Sequence, residues 1–183
     1  MEFIKTNFKD CYIIEIEKKK DDRGFFARSY DSKIFEEYKL EKNIVQCNIS
    51  FNLKKNTIRG MHYQISPYEE AKLVRCTRGK IMDVIIDLRP NSITFKKWLS
   101  VELSEDNFRT LYIPKGMAHG FQTLVDNTEV FYQMTQKYMP EFAKGIRWND
   151  TVFNIKWPNK LSIISNKDNE YDDFLDSEEI KNE

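Results

Sequence analysis

Residues 73–113 read LVRCTRGK IMDVIIDLRP NSITFKKWLS VELSEDNFRT LYI, and this stretch decides the fold class. Leu73–Cys76, Ile81–Leu88, Trp98–Leu103 and Arg109–Ile113 are short runs of strand-forming residues. Turn signals separate them: Arg78-Gly79-Lys80, Pro90-Asn91-Ser92 and Ser104–Asn107. A βαβ architecture would need repeated helices of ten or so residues between strands. The same rhythm runs outward through Tyr12–Ile16, Val45–Phe51 and Val130–Thr135, with turns at Asp22-Arg23-Gly24, Asn52–Asn56, Pro114-Lys115-Gly116 and Asp126-Asn127. In the first two-thirds of the chain only Ser32–Leu40 reads as a helix, with Ser32 as its N-cap. The pattern predicts an all-β sandwich, barrel or jelly roll.

With 183 residues, no repeat and no linker, the expectation is a single domain over 1–183. Lys and Arg total 29 and Asp and Glu total 29, so the basic excess of a phosphate-neutralising nucleic-acid binder is missing. No apolar run approaches the roughly 20 residues of a membrane span. Met1-Glu2-Phe3-Ile4-Lys5 lacks the apolar stretch of a signal peptide, and Cys11, Cys47 and Cys76 have no metal-binding spacing. A cytoplasmic protein with reduced thiols is expected. Residues 168–183 are acidic and poor in apolar anchors, which reads as a solvated terminal helix or tail.

The chain has two histidines, so imidazole chemistry rests on His62 or His119. His62 sits in Arg59-Gly60-Met61-His62-Tyr63-Gln64, and His119 in Pro114-Lys115-Gly116-Met117-Ala118-His119-Gly120-Phe121. Taken alone, the first segment is as readily a core histidine, and the second a structural turn. Two isolated histidines do not build a multi-His metal site, no Gly-x-Ser-x-Gly elbow supports a serine hydrolase, and no Gly-x-Gly-x-x-Gly supports a nicotinamide enzyme. Metal-free acid–base chemistry remains. It would use a His as base, a carboxylate to orient it, a Tyr as acid, and a Lys or Arg to hold an oxyanion.

Several motifs occur in a fixed order: Asp22-Arg23-Gly24-x-Phe26, Gln46-x-Asn48-x-Ser50, the segment Arg59–Gln64, Ala71-Lys72-Leu73-Val74, and Asp83-Val84-x-x-Asp87-Leu88-Arg89. They continue with Pro114-x-Gly116-x-Ala118-His119-Gly120-Phe121, Glu129–Tyr132, Tyr138-x-Pro140, Trp148-Asn149-Asp150, Ile155-x-Trp157-Pro158 and Ser165-x-Lys167-Asp168. The ordered set, from about residue 10 to about residue 168, resembles the dTDP-4-dehydrorhamnose 3,5-epimerase family of nucleotide-sugar epimerases. The resemblance implies an all-β, cupin-type jelly-roll barrel with a few short peripheral helices. It implies a homodimer that uses no metal and no other cofactor. The implied substrate is a nucleoside-diphosphate 4-keto-6-deoxyhexose, dTDP-4-dehydro-6-deoxy-D-glucose, epimerised at C3 and C5. It implies His62 as base, Asp168 as its paired carboxylate, Tyr132 as acid and Lys72 beside the sugar keto oxygen. Arg23, Phe26, Arg28, Gln46, Asn48, Arg59, His119, Tyr138 and Lys167 match positions that hold the nucleotide or line its pocket, as Lys72 also does.

A ketone at C4 acidifies the C–H bonds at C3 and C5, and a cation holds the resulting enolate oxygen. Inversion requires proton removal on one face and return on the other. Period-two alternation places Val130, Tyr132, Met134, Gln136 and Tyr138 on one strand face, but it puts Arg59 and His62 on opposite faces unless Gly60 opens a bulge. The family commonly has Glu where this chain has Arg28 and Ala143, and Asp where it has Cys47. The alternatives are a C3-only or C5-only epimerase, a GDP- or CDP-sugar epimerase, a 3,4-ketoisomerase, or a non-catalytic cupin sugar-binding module.

Overall fold

The structure, a computed structural model, describes residues 1–174. Its strands are β1 (Glu2–Lys5), β2 (Tyr12–Glu15), β3 (Lys19–Asp21), β4 (Gly24–Phe26), β5 (Gln46–Asn52), β6 (Ile58–Gln64) and β7 (Lys72–Arg78). They continue with β8 (Lys80–Asp87), β9 (Trp98–Ser104), β10 (Thr110–Ile113), β11 (Met117–Thr123), β12 (Thr128–Met134) and β13 (Ala143–Gly145). Helix α1 is Ser32–Glu37, α2 is Asn166–Asn169, and Pro140–Phe142 forms a single 3₁₀ turn. One sheet runs β1-β2-β10-β7-β12-β5, the other β13-β6-β11-β8-β9, and β3–β4 is a separate hairpin. The strand pairings in these sheets are antiparallel, as a jelly roll requires.

The inner faces meet in an apolar layer. Val74, Cys76, Leu111, Ile113 and Val130 pack against Ile81, Ile85, Val101, Leu103 and Phe121. Behind the five-stranded sheet, Met61, Val84, Ile86 and Ala118 are covered by Ile146, Phe153, Ile155, Trp157 and Phe174. Strand β8 is therefore buried on both faces, which is why its sequence runs almost continuously apolar instead of alternating. Behind part of the six-stranded sheet, Phe35 of α1 covers Phe3, Ile14, Leu73 and Tyr112.

The structure corrects several local expectations. Helix α1 ends at Glu37, and its N-cap is Asp31, which is extended and accepts from Lys33 N–H, so Ser32 is already helical. Strands β6 and β11 are polar, Gly-bearing segments whose strand character the apolar pattern hid. The described part of the acidic end is mixed: Asn169, Glu170, Asp172 and Asp173 are exposed, while Asp168 is buried. Phe174 packs on Phe153, and its N–H donates to Asp150 Oδ2 at 2.6 Å. The rest of that stretch, 175–183, lies outside the described residues.

One turn is pinned electrostatically. Burial would raise the Asp87 carboxyl, but donors from Arg89, Ser92 and Thr94 outweigh burial and hold it near a pKa of about 2. A depressed folded pKa means that this contribution is fully present above the unfolded value near 3.8 and is lost as pH falls towards 2. Among the described residues no helix is long and apolar enough to cross a membrane.

Candidate active site

One end of the space between the sheets is polar. From the six-stranded sheet, Gln46 and Asn48 of β5, Lys72 of β7 and Tyr132 of β12 lie on the inward face, with Tyr132 paired to both Asn48 and Val74. From the other sheet come His62 of β6 and His119 of β11, directly opposite each other. The bulge that strict alternation required is present. His119 pairs with His62 and Phe121 with Arg59, so Gly60 and Met61 together oppose the single residue Gly120. The extra residue turns Arg59 onto the same face as His62. Gly60 has φ +124°, and a Cβ there would lie 2.5 Å from Gly120 Cα, so this crossing admits no side chain. Arg59 Nε donates to Asn52 Oδ1 at 2.7 Å, and its charge reaches Tyr132.

His62 Nε2 lies 2.7 Å from Asp168 Oδ1. The carboxylate is fixed independently of the histidine. Gly60 N–H donates to Oδ2 at 3.1 Å, and Asp168 N–H donates to Ser165 Oγ, the cap of α2. Asp168 is only 5% exposed. Burial pushes its carboxyl up, but the His62 hydrogen bond, the His62 charge and the Gly60 N–H prevail and hold it below the ordinary range. An ionised carboxylate only accepts, which assigns the hydrogen to Nε2 and leaves the Nδ1 lone pair as the basic atom.

Lys72 is buried on the facing sheet. Its Nζ donates to the His62 carbonyl at 3.1 Å and is 3.0 Å from Glu70 Oε1. His119 Nε2 is 2.7 Å from Asp83 Oδ1. Asp83 is fully buried, and burial raises its pKa against the opposing charges of His119 and Lys72. Burial also raises the Tyr132 phenol, with Arg59 opposing, so Tyr132 keeps its proton through the neutral range. The site thus offers an imidazole nitrogen not used by Asp168, a protonated phenol on the facing sheet and an ammonium bonded to the His62 carbonyl. Among the described residues no three His, Cys, Asp or Glu side chains are gathered as metal ligands would be.

The remaining expected residues divide. Gln46 accepts from Tyr138 N–H at 2.5 Å, and Asn48 Nδ2 is 3.4 Å from Met134 Sδ. Strand β12 ends at Met134, so Tyr138 does not share a strand face with Tyr132. It stands half exposed near Tyr171, whose phenol also contacts Lys167. Arg23, Phe26 and Arg28 are not brought into the cluster. Arg23 pairs with Asp21, Arg28 with Asp31 at 2.5 Å, and Phe26 is 72% exposed. Ala143 sits in β13 opposite Gln64. Sequence reasoning missed Glu70, Asp83 as the His119 partner, and Tyr171, whose ring lies over Gly145 and edge-on to His62. For Asp83 a signal existed, since it opens a motif on a strand that neighbours His119. For the other two none did.

Comparison with known proteins bears on this arrangement. The family model for dTDP-4-dehydrorhamnose 3,5-epimerase matches residues 5–176. The Shigella flexneri dTDP-4-dehydrorhamnose 3,5-epimerase is 42% identical over 179 residues, covering 97% of this chain and 98% of that protein. The Escherichia coli K12 enzyme is 45% identical over 165 residues, covering 90% and 89%. Among solved structures, the Bacillus anthracis enzyme with TDP and PPi bound superposes with a TM-score of 0.91 at 42% identity, covering 94% of this chain and 99% of that one. A Legionella pneumophila enzyme in complex with dTDP-4-keto-L-rhamnose gives 0.85 at 38% identity, covering 91% and 89%. The jelly roll, the polar end between its sheets and these matches agree: the chain belongs to the dTDP-4-dehydrorhamnose 3,5-epimerase family of nucleotide-sugar isomerases.

Proposed function

We propose that His62, Tyr132 and Lys72 carry out the family's reaction on dTDP-4-dehydro-6-deoxy-D-glucose, giving dTDP-4-dehydro-L-rhamnose. His62 Nδ1 removes the proton next to the ketone, and Asp168 holds the ring and the charge it gains. Lys72 stabilises the enolate oxygen. Tyr132 delivers a proton from the opposite wall. Carrying this reading is the placement of the His62–Asp168 pair and of Tyr132 on facing sheets, with Lys72 bonded to the His62 carbonyl. Relatives solved with TDP and with dTDP-4-keto-L-rhamnose support the choice of nucleotide. The test is incubation in D₂O with 4-keto-6-deoxy sugars on dTDP, GDP and CDP, followed by NMR. Deuterium at both C3 and C5 on the dTDP sugar is expected. Entry at one carbon would make it a mono-epimerase, and entry at neither a binding module.

The proposal includes a homodimer. Strand β2 is paired on both sides, by β1 and β10, and the edges of the six-stranded sheet are β1 and β5. The better face is the outside of β5, where the usual pattern is inverted. Gln46, Asn48, Ser50 and Asn52 point inward, while Cys47, Ile49 and Phe51 stand exposed, continued by Val45 and Leu53. A stripe of this kind on an edge strand calls for a covering surface, and a second copy supplies one. The projecting β3–β4 hairpin, with Arg23 and Phe26, would then be free to reach the second copy's site. Light scattering at micromolar concentration should give twice the chain mass, and Ile49→Lys with Phe51→Lys should give the single mass. A variant that stays dimeric would place the interface elsewhere. We place the protein in the cytoplasm as one domain, in keeping with its free cysteines, of which burial pushes Cys11 and Cys76 up to about 12.

A further inference from the structure

Lys72 stands among more negative charge than its proposed role requires. Its ammonium has three N–H donors. Two are directed at Glu70 Oε1 (3.0 Å) and the His62 carbonyl (3.1 Å), leaving one for a ligand. Glu70 belongs to no strand and lies two residues before Lys72. Its side chain is 3% exposed. Its backbone place is set by its neighbour, since Ala71 N–H donates to Thr135 Oγ1 and Thr135 N–H donates to the Ala71 carbonyl. Among the described residues Lys72 is the one side chain bonded to the Glu70 carboxylate, and Glu70 Oε2 is buried without a hydrogen-bond partner.

A buried ion pair is poor value for stability, because desolvation offsets the attraction. A carboxylate buried for the sake of one ammonium therefore calls for a reason beyond holding the fold. The place of the ammonium supplies it. Glu70 Oε1 and the His62 carbonyl hold Nζ at two points, 3.0 and 3.1 Å away, which sets the direction of its third N–H. Without the Glu70 carboxylate, the His62 carbonyl would be the one contact left to fix it among the described residues.

We infer that Glu70 is a positioning residue: it holds the Lys72 ammonium on the His62 side of the site, so that its third N–H faces the sugar keto oxygen. The inference rests on the enolate mechanism proposed above. It extends that mechanism to a residue that touches no substrate.

Four proteins test it: wild type, Glu70→Leu, Lys72→Met and the double variant, with Glu70→Gln as a fifth that keeps an acceptor oxygen. Glu70→Leu should lower kcat by about 10- to 100-fold, the usual consequence of displacing a catalytic group by about 1 Å, with KM changed far less. Glu70→Gln should recover most of that loss. In the Lys72→Met background Glu70→Leu should cost nothing further, whereas a merely structural role would subtract equally in both backgrounds. Wild-type kcat in Glu70→Leu, no rescue by Gln, or additive losses would each overturn the inference. A crystal structure of Glu70→Leu, or of Glu70→Gln if the first does not fold, decides the point without turnover. Nζ displaced from the His62 carbonyl supports the assignment, and an unmoved Nζ removes it. Failure of the mechanism itself would appear instead as absent deuterium exchange in the wild-type protein.

Discussion

His62→Ala is expected to lower turnover by about 10²- to 10⁴-fold, the usual range for a positioned general base. No other group can take over. The second histidine, His119, is directly opposite on β11 and is paired with a carboxylate in the same way, but its side chain is buried, whereas that of His62 is open to the site. Both deuterium entry at C3 and product formation should fall together, because abstraction precedes both. The variant should still fold, at some cost. Removing the imidazole takes the His62 donor from the buried Asp168 carboxylate and leaves it the Gly60 N–H, and a buried acceptor stripped of a partner costs about 1–3 kcal/mol. A Tm lowered by several degrees with native near-UV circular dichroism is the expected signature. Substantial C3 exchange in the variant would take the base role away from His62.

Tyr132→Phe separates two steps that His62→Ala abolishes together. The ring is kept, and the hydroxyl makes no hydrogen bond within the described chain, so packing against Val74 and Val130 should change little. His62 can still remove the proton and return a solvent deuteron to the same face. The variant should therefore exchange deuterium at the first carbon while forming the inverted product at least about 10²-fold more slowly, a loss set by the missing acid. The raised Tyr132 pKa is consistent with this role, since a phenol that stays protonated at neutral pH is a donor and not a competing base. Inversion near the wild-type rate would end the assignment and direct attention to Tyr171, whose ring lies edge-on to His62, or to Tyr138.

The two halves of the site were unequally legible. Tyr132 could be placed inward from Val130–Thr135 because strand alternation is local, and β12 obeys it. The same rule failed at Tyr138, six residues later. Once the strand ends at Met134, alternation has no meaning, and Tyr138 is placed by the accepting oxygen of Gln46 instead. Arg59 and His62 show the converse. Their separation of three forbids a shared face in any regular strand, and only the pairing of β6 with β11, where Gly60 meets Gly120, creates the bulge that unites them.

By itself the sequence determined the all-β class, through short apolar runs and turn residues at regular spacing. It also determined the chemistry on offer, since a chain with two histidines and no metal or dinucleotide motif has few ways to move a proton. The order of its motifs carried the family. Tertiary structure alone decided which groups act together. The Asp168 carboxylate reaches His62 across 106 residues because a Ser-capped turn is folded back onto β6, and Lys72 reaches the His62 carbonyl from the facing sheet. It also withheld Arg23, Phe26 and Arg28 from this chain's own cluster. The physical reason is range: strand propensity and turn chemistry act over a few residues, whereas hydrogen bonds and charge act across whatever distance in sequence the packed sheets close.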